Sequence, residues 1–154
     1  MRSPRRIKPG GTPMKVLVPV DDSDTALRAI DWVARSQSPS APCEVELLNV
    51  RSMPEQFGAV SVLDYGAVER ALREGQQLVL AKALEHAERA GLKQVTIRGA
   101  HGFAAEQIVE AAKAKGADQI VMASHGRGAV GTFFLGSVAQ QVVHLAPMPV
   151  TLVK

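Results

Sequence analysis

Residues 119–137 read QIVMASHGRGAVGTFFLGS. The short apolar run Gln119-Ile120-Val121-Met122-Ala123 does not alternate with polar residues, which predicts a strand covered on both faces. Glycines at 126, 128, 131 and 136 follow it, and Ser137 then opens a segment of helical spacing. Gly126 to Gly131 spells G-x-G-x-x-G, but the context of a dinucleotide site is missing. That pattern belongs after the first strand, opens a helix directly, and is followed about 20 residues later by an acid. Here it follows the fourth predicted strand, runs into Thr132-Phe133-Phe134-Leu135, and meets no acid between Pro147 and Val153. No G-x-x-x-x-G-K-[ST] loop occurs either. The stretch is still suited to phosphate. Gly126 and Gly128 allow close approach of the backbone, and Gly136-Ser137 stands where a helix offers free N–H groups and a positive dipole end.

Working outward, apolar runs and helical spacing alternate along the chain. Lys15–Val20 predicts a buried strand, followed by Asp21-Asp22-Ser23-Asp24, residues suited to starting a helix. Ala26, Leu27, Ile30, Val33 and Ala34 recur at helical spacing, and the segment from Ser36 to Pro42 ends that helix. Cys43–Val50 predicts a second strand, and 51–63 a loop. Val68, Leu72, Val79, Ala83, Ala87 and Ala90 trace one face of a long helix over 64–90, stopped by Gly91. Val95–Ile97 predicts a third strand, and Ala104–Lys115 a helix stopped by Gly116. A last helix carries Val138, Val142 and Leu145, and Pro149–Val153 closes the chain as a fifth strand. The order β-α-β-α-β-α-β-α-β with apolar strands predicts an α/β fold, a parallel sheet with helices on both faces.

The 154 residues suffice for one domain, with 46% apolar residues and a mean hydropathy of +0.03. No apolar run approaches the roughly 18 residues of a membrane span, and Lys8 to Pro13 stands where a signal peptide needs an apolar stretch. The single cysteine, Cys43, excludes an internal disulfide and fits a cytoplasmic location. The pI near 9.3 has a local source. Residues 1–13 carry Arg2, Arg5, Arg6 and Lys8 and no acid; removing them leaves 14 basic against 15 acidic residues. The body is not basic and has no aromatic-basic cluster, which argues against nucleic acid as a partner. Residues 1–13 are expected to be a flexible basic tail, and 14–154 the domain.

From Met14 to Lys154 the sequence resembles the universal stress protein family. The resemblance rests on the spacing G-2x-G-9x-G-[S/T] after the fourth strand, matched by Gly126 and Gly136-Ser137, with Ala123 in place of the first glycine. Pro19-Val20-Asp21, Leu48-Asn49-Val50 and Ala146-Pro147-Met148-Pro149-Val150 match as well. It implies an open five-stranded sheet of order 3-2-1-4-5, of the adenine nucleotide alpha hydrolase-like type, and ATP as ligand, alone or with Mg²⁺ or Mn²⁺. By the resemblance Pro19, Val20 and Asp21 contact adenosine, and the Val50 backbone reads the adenine edge. Met122 to Gly126, Ala123 among them, line the ribose and phosphates, with Gly136, Ser137 and Val138 on the phosphates. Arg127, by its own chemistry, is either a solvated surface charge or a further phosphate contact. A homodimer through the C-terminal strand is also implied.

In the motif His125 has neither a nucleophile nor an orienting carboxylate beside it, so it is expected to hydrogen-bond within the loop rather than act as a base. His86, His101 and His144 are scattered and form no metal-ligand set. Trp32 is expected to pack from helix to core. With no activated nucleophile or water in view, the chain is expected to be a stress-response regulator or nucleotide-dependent switch, at most a slow ATPase. The alternative of another class is a nucleotide-free dimerisation module that works by partner binding.

Overall fold

Parallel strands need long crossovers, and each crossover here contains one helix. The computed structural model describes residues 12–52, 65–125 and 135–154. In order they form β1 (Met14–Pro19), α1 (Asp24–Ser36), β2 (Cys43–Arg51), α2 (Tyr65–Arg89) and β3 (Gln94–His101), then α3 (Ala104–Lys115), β4 (Gln119–Ala123), α4 (Ser137–Leu145) and β5 (Val150–Val153). The strands make one sheet of order β3-β2-β1-β4-β5, parallel throughout. Most of the expected 1–13 tail lies outside the described residues, as do Gly126, Arg127, Phe133 and Phe134.

The apolar runs arise because both faces of the sheet are covered. Val16 and Val18 point to one face and Leu17 to the other, and all three are buried. On the first face Val16, Val18, Val45, Leu47 and Val121 pack against α1 and α2, with Ile30 and Val33 from α1. On the second face Leu17, Leu48, Ile120 and Met122 pack against α3 and α4, through Ile108, Val109 and Val142. Each such side chain contributes about 1.5–3 kcal/mol by burial. Trp32 packs at the edge of the first cluster, as expected. Burial raises the Cys43 thiol pKa, so the lone cysteine is a small core residue.

Besides one-residue shifts at the ends of β1, β2 and α2, three differences from the sequence reading have a physical reason. β3 runs over eight residues rather than three, because its extent is set by pairing with β2 from Glu44↔Gln94 to Arg51↔His101. It is an edge strand whose side chains are mostly exposed, so apolarity marked only its middle. The apolar face predicted for α2 holds only in its second half: Leu72 is 37% exposed, and full burial begins at Leu80 and continues through Ala83 and Ala87. β5 begins at Val150, although Pro149 still accepts a sheet bond from the Ile120 N–H at 3.0 Å. Both glycine stops hold. Gly91 (φ 92°) and Gly116 (φ 64°) take the left-handed conformation, and Ala117 N–H closes α3 onto the Ala112 carbonyl at 2.8 Å.

Candidate functional site

β1 and β4 are neighbours in the sheet, but the chain leaves them in opposite directions. After β1 it enters α1 on the first face; after β4 it enters α4 on the second. Such a divergence opens a crevice at the carboxyl ends of the two strands, the place where open α/β sheets bind ligands. Pro19, Val20 and Asp21 stand on one side of it, and Met122, Ala123 and Ser124 on the other.

The start of α1 is internally satisfied. Ser23 is the cap residue: its hydroxyl accepts from the Ala26 N–H at 3.3 Å, and Asp24 lies in the first turn. Asp21 is therefore not the cap. Its Oδ1 accepts from the Ser23 N–H at 2.9 Å and from the Ser23 hydroxyl, which fixes the carboxylate at the crevice mouth. The Thr25 hydroxyl, in the first turn, donates to the His125 carbonyl at 3.3 Å and so ties the start of α1 to the end of β4.

The start of α4 is different. The chain that leaves β4 is back beside it at Gly136, whose N–H donates to the Ser124 carbonyl at 2.8 Å. Gly136 caps α4 with no side-chain hydrogen bond, and the first turn of the helix contains no acid. Its φ of −59° and ψ of 148° are open to any residue. The glycine thus leaves the positive end of α4 bare, the arrangement that suits an anion. Ser124 is only 5% exposed; its hydroxyl pairs with His125 Nδ1 at 2.8 Å, the expected hydrogen bond within the loop. His125 Nε2 is buried and has no partner among the described residues.

A third contribution comes from the end of β2. The Leu48 carbonyl accepts from the Val20 N–H at 2.8 Å, so even-numbered residues of β2 turn their amide groups toward β1. Val50 is next on that side, but the Val20 carbonyl is bonded by the Asn49 side chain at 2.7 Å. The Val50 N–H and C=O consequently face the space past the end of β1. On the α2 side of Asp21 a separate cleft of about 290 Å³ opens, lined among others by Leu27, Leu78 and Lys82. It is not bordered by Gly136 or Val50.

With this geometry in place, comparison with known proteins is decisive for the family. The model of the universal stress protein family matches residues 13–154. The chain belongs to the universal stress protein family. Universal stress protein MJ0531 of Methanocaldococcus jannaschii is 32% identical over 91% of the chain and 81% of its own length. The solved structure of MJ0577 from the same organism superposes with a TM-score of 0.79 at 31% identity, covering 92% of this chain and 95% of that one. A universal stress protein solved in complex with cAMP shares the fold at TM-score 0.67 and 23% identity, over 92% of this chain and 97% of its own.

Of the site residues expected from the family pattern, Pro19, Val20, Asp21, Met122 and Ala123 lie at the crevice ends of β1 and β4, and Val50 at the end of β2. Gly136, Ser137 and Val138 form the start of α4, whereas Gly126 and Arg127 lie outside the described residues. Ala123 belongs to β4 itself, paired with Val153, so its backbone is extended and carries a methyl group without strain. The sequence reading missed Thr25, Asn49 and Gln76. Asn49 carried a signal, as a polar residue inside the apolar run Leu47-Leu48-Asn49-Val50. No group of three or more His, Cys, Asp or Glu able to hold a metal occurs among the described residues. Nor is any helix among them long and apolar enough to cross a membrane.

Proposed function

We propose that this universal stress protein binds an adenine nucleotide, ATP, in the crevice between β1 and β4 and acts as a nucleotide-dependent regulator of a stress response. The observation that carries the reading is the uncapped, acid-free start of α4 at Gly136-Ser137, in the crevice that Asp21 borders. The phosphates lie on the Ser137 and Val138 N–H groups; Gly126 and Arg127, outside the described residues, enter the reading through the family motif alone. The Val50 amide edge offers one donor and one acceptor to a base, and Pro19, Val20 and Asp21 hold the adenosine. In the cAMP complex the same fold holds an adenine nucleotide. A divalent ion, Mg²⁺ or Mn²⁺, would neutralise phosphate charge, and Asp21 would be a carboxylate at the crevice able to hold it. Calorimetric titration tests the site: Gly136→Val places a branched side chain at the phosphate position and abolishes ATP binding while the fold is kept. Equal affinity of wild type and variant removes this site.

The proposal includes a homodimer through β5. This strand ends the sheet, and an edge of unpaired N–H and C=O groups is a template for a second copy. The preceding α4 leaves Val143 and Leu145 about half exposed, at 48% and 47%. Light scattering at micromolar concentration is expected to give twice the 16.4 kDa chain mass, and Leu152→Lys to shift it toward monomer. A wild type of single-chain mass at high concentration rejects this interface.

A further inference from the structure

We infer that Asn49, oriented by Gln76, keeps the amide edge of Val50 open and thereby sets a preference for adenine over guanine; this rests on the nucleotide reading above. A parallel ladder would continue from Val20 N–H→Leu48 C=O, at 2.8 Å, to Val50 N–H→Val20 C=O. The second bond is replaced by Asn49 Nδ2→Val20 C=O at 2.7 Å. The substitution of a side chain for a backbone donor stops the ladder one bond early and leaves the Val50 N–H unused on that side.

The direction of the Asn49 amide is fixed from α2. Gln76 Nε2 donates at 2.9 Å to the Asn49 carbonyl and at 2.9 Å to the Ala100 carbonyl, and lies 3.3 Å from Asn49 Oδ1. Reversing Gln76 would set its Oε1 against two carbonyl oxygens, so the network determines the orientation. Asn49 Oδ1 then faces Gln76, and Nδ2 must face Val20. Room for Gln76 exists because β3 has glycine at 99: a Cβ there would lie 2.6 Å from Gln76 Oε1 and 2.9 Å from its Cδ. Three residues from β2, α2 and β3 thus cooperate on the Val20 carbonyl, one residue past β1. Asn49 is 9% exposed, and burying amides is costly unless every group is bonded. An apolar residue at 49 would let the ladder close.

An open Val50 N–H and C=O offers a donor beside an acceptor. Adenine presents N1 as acceptor and its amino group as donor, which matches; guanine presents an N1 donor and an O6 acceptor, which reverses both. Asn49 and Gln76 are positioning residues that act through Val50.

Two measurements test this. Amide exchange by NMR on the nucleotide-free protein is expected to show Val50 exchanging fast, and at least tenfold more slowly in Asn49→Leu, where the Val20 carbonyl is released to it. Calorimetry is expected to show that Asn49→Leu lowers ATP affinity about tenfold, the scale of one lost hydrogen bond, with GTP affinity unchanged. Gln76→Glu keeps the shape, removes the donor and is expected to show the same split, which covers a failure of Asn49→Leu to fold. Slow Val50 exchange in the wild type, or an ATP:GTP ratio unchanged in both variants, overturns the proposal. A wild type that binds neither nucleotide overturns the reading of the site and the base preference with it, whatever Val50 exchange shows.

Discussion

Two helices begin at the same crevice, and their first turns are built in opposite ways. α1 starts with a serine cap bonded to Ala26, an aspartate in its first turn, and Asp21 locked to the cap residue. α4 starts with a glycine, no side-chain cap and no acid. The free N–H groups and dipole are the same in both. In α1 they are satisfied from within the chain, and in α4 they are left for something else. The contrast teaches that a helix start becomes an anion site through what is withheld from it, and that Gly136 serves by lacking a side chain rather than by an unusual backbone angle.

The comparison is broken most strongly by giving α4 what α1 has. Gly136→Asp supplies both a cap and a negative charge, and is expected to lower ATP affinity at least a hundredfold, read by calorimetry. A cap is worth about 0.5–2 kcal/mol, so thermal unfolding should show the variant at least as stable as the wild type. Loss of binding together with a higher melting temperature separates a blocked site from a damaged fold.

A smaller effect comes from taking away what α1 has. Ser23→Ala removes the cap and one partner of Asp21, with an expected loss of about 1 kcal/mol in urea unfolding. ATP affinity should fall by less than in Gly136→Asp. An ATP loss as large would mean that α1, not α4, carries the ligand.

The smallest effect lies away from both helix starts and serves as a control. Arg51 holds the Glu69 carboxyl below its ordinary pKa, at 3.1 Å, and Lys115 does the same for Glu44, at 3.0 Å. A carboxyl lowered in the folded state contributes stability above its unfolded pKa and loses it as pH falls through the folded one. Unfolding measured against pH should therefore show stability declining below about pH 4.5, the ordinary glutamate value. The decline should be shallower in Glu44→Gln and Glu69→Gln, and equal slopes would show that these pairs do not contribute.

What the sequence disclosed follows the same logic of local against distant partners. β1, β2 and β4 were legible because two covered faces demand unbroken apolar runs. β3 was legible only at Val95–Ile97, since an edge strand takes its length from pairing with β2. Gly136 and Ser137 were legible at a helix start because a motif with fixed spacing sets them after β4, and Asp21 because it directly follows the first apolar run. Gln76 was not: its partner Asn49 is 27 residues away, and nothing local marks a partly buried glutamine on a helix as a tie to two strands. The tie between Thr25 and His125, 100 residues apart, was hidden for the same reason.

The measurement that bears most directly on the central claim is an ATP titration followed by backbone amide resonances. The Ser137 and Val138 signals, at the start of α4, are expected to move strongly and saturably, while those of Thr25 and Ala26, at the start of α1, move little. Large shifts at Thr25 and Ala26, with Ser137 and Val138 unmoved, would contradict the account.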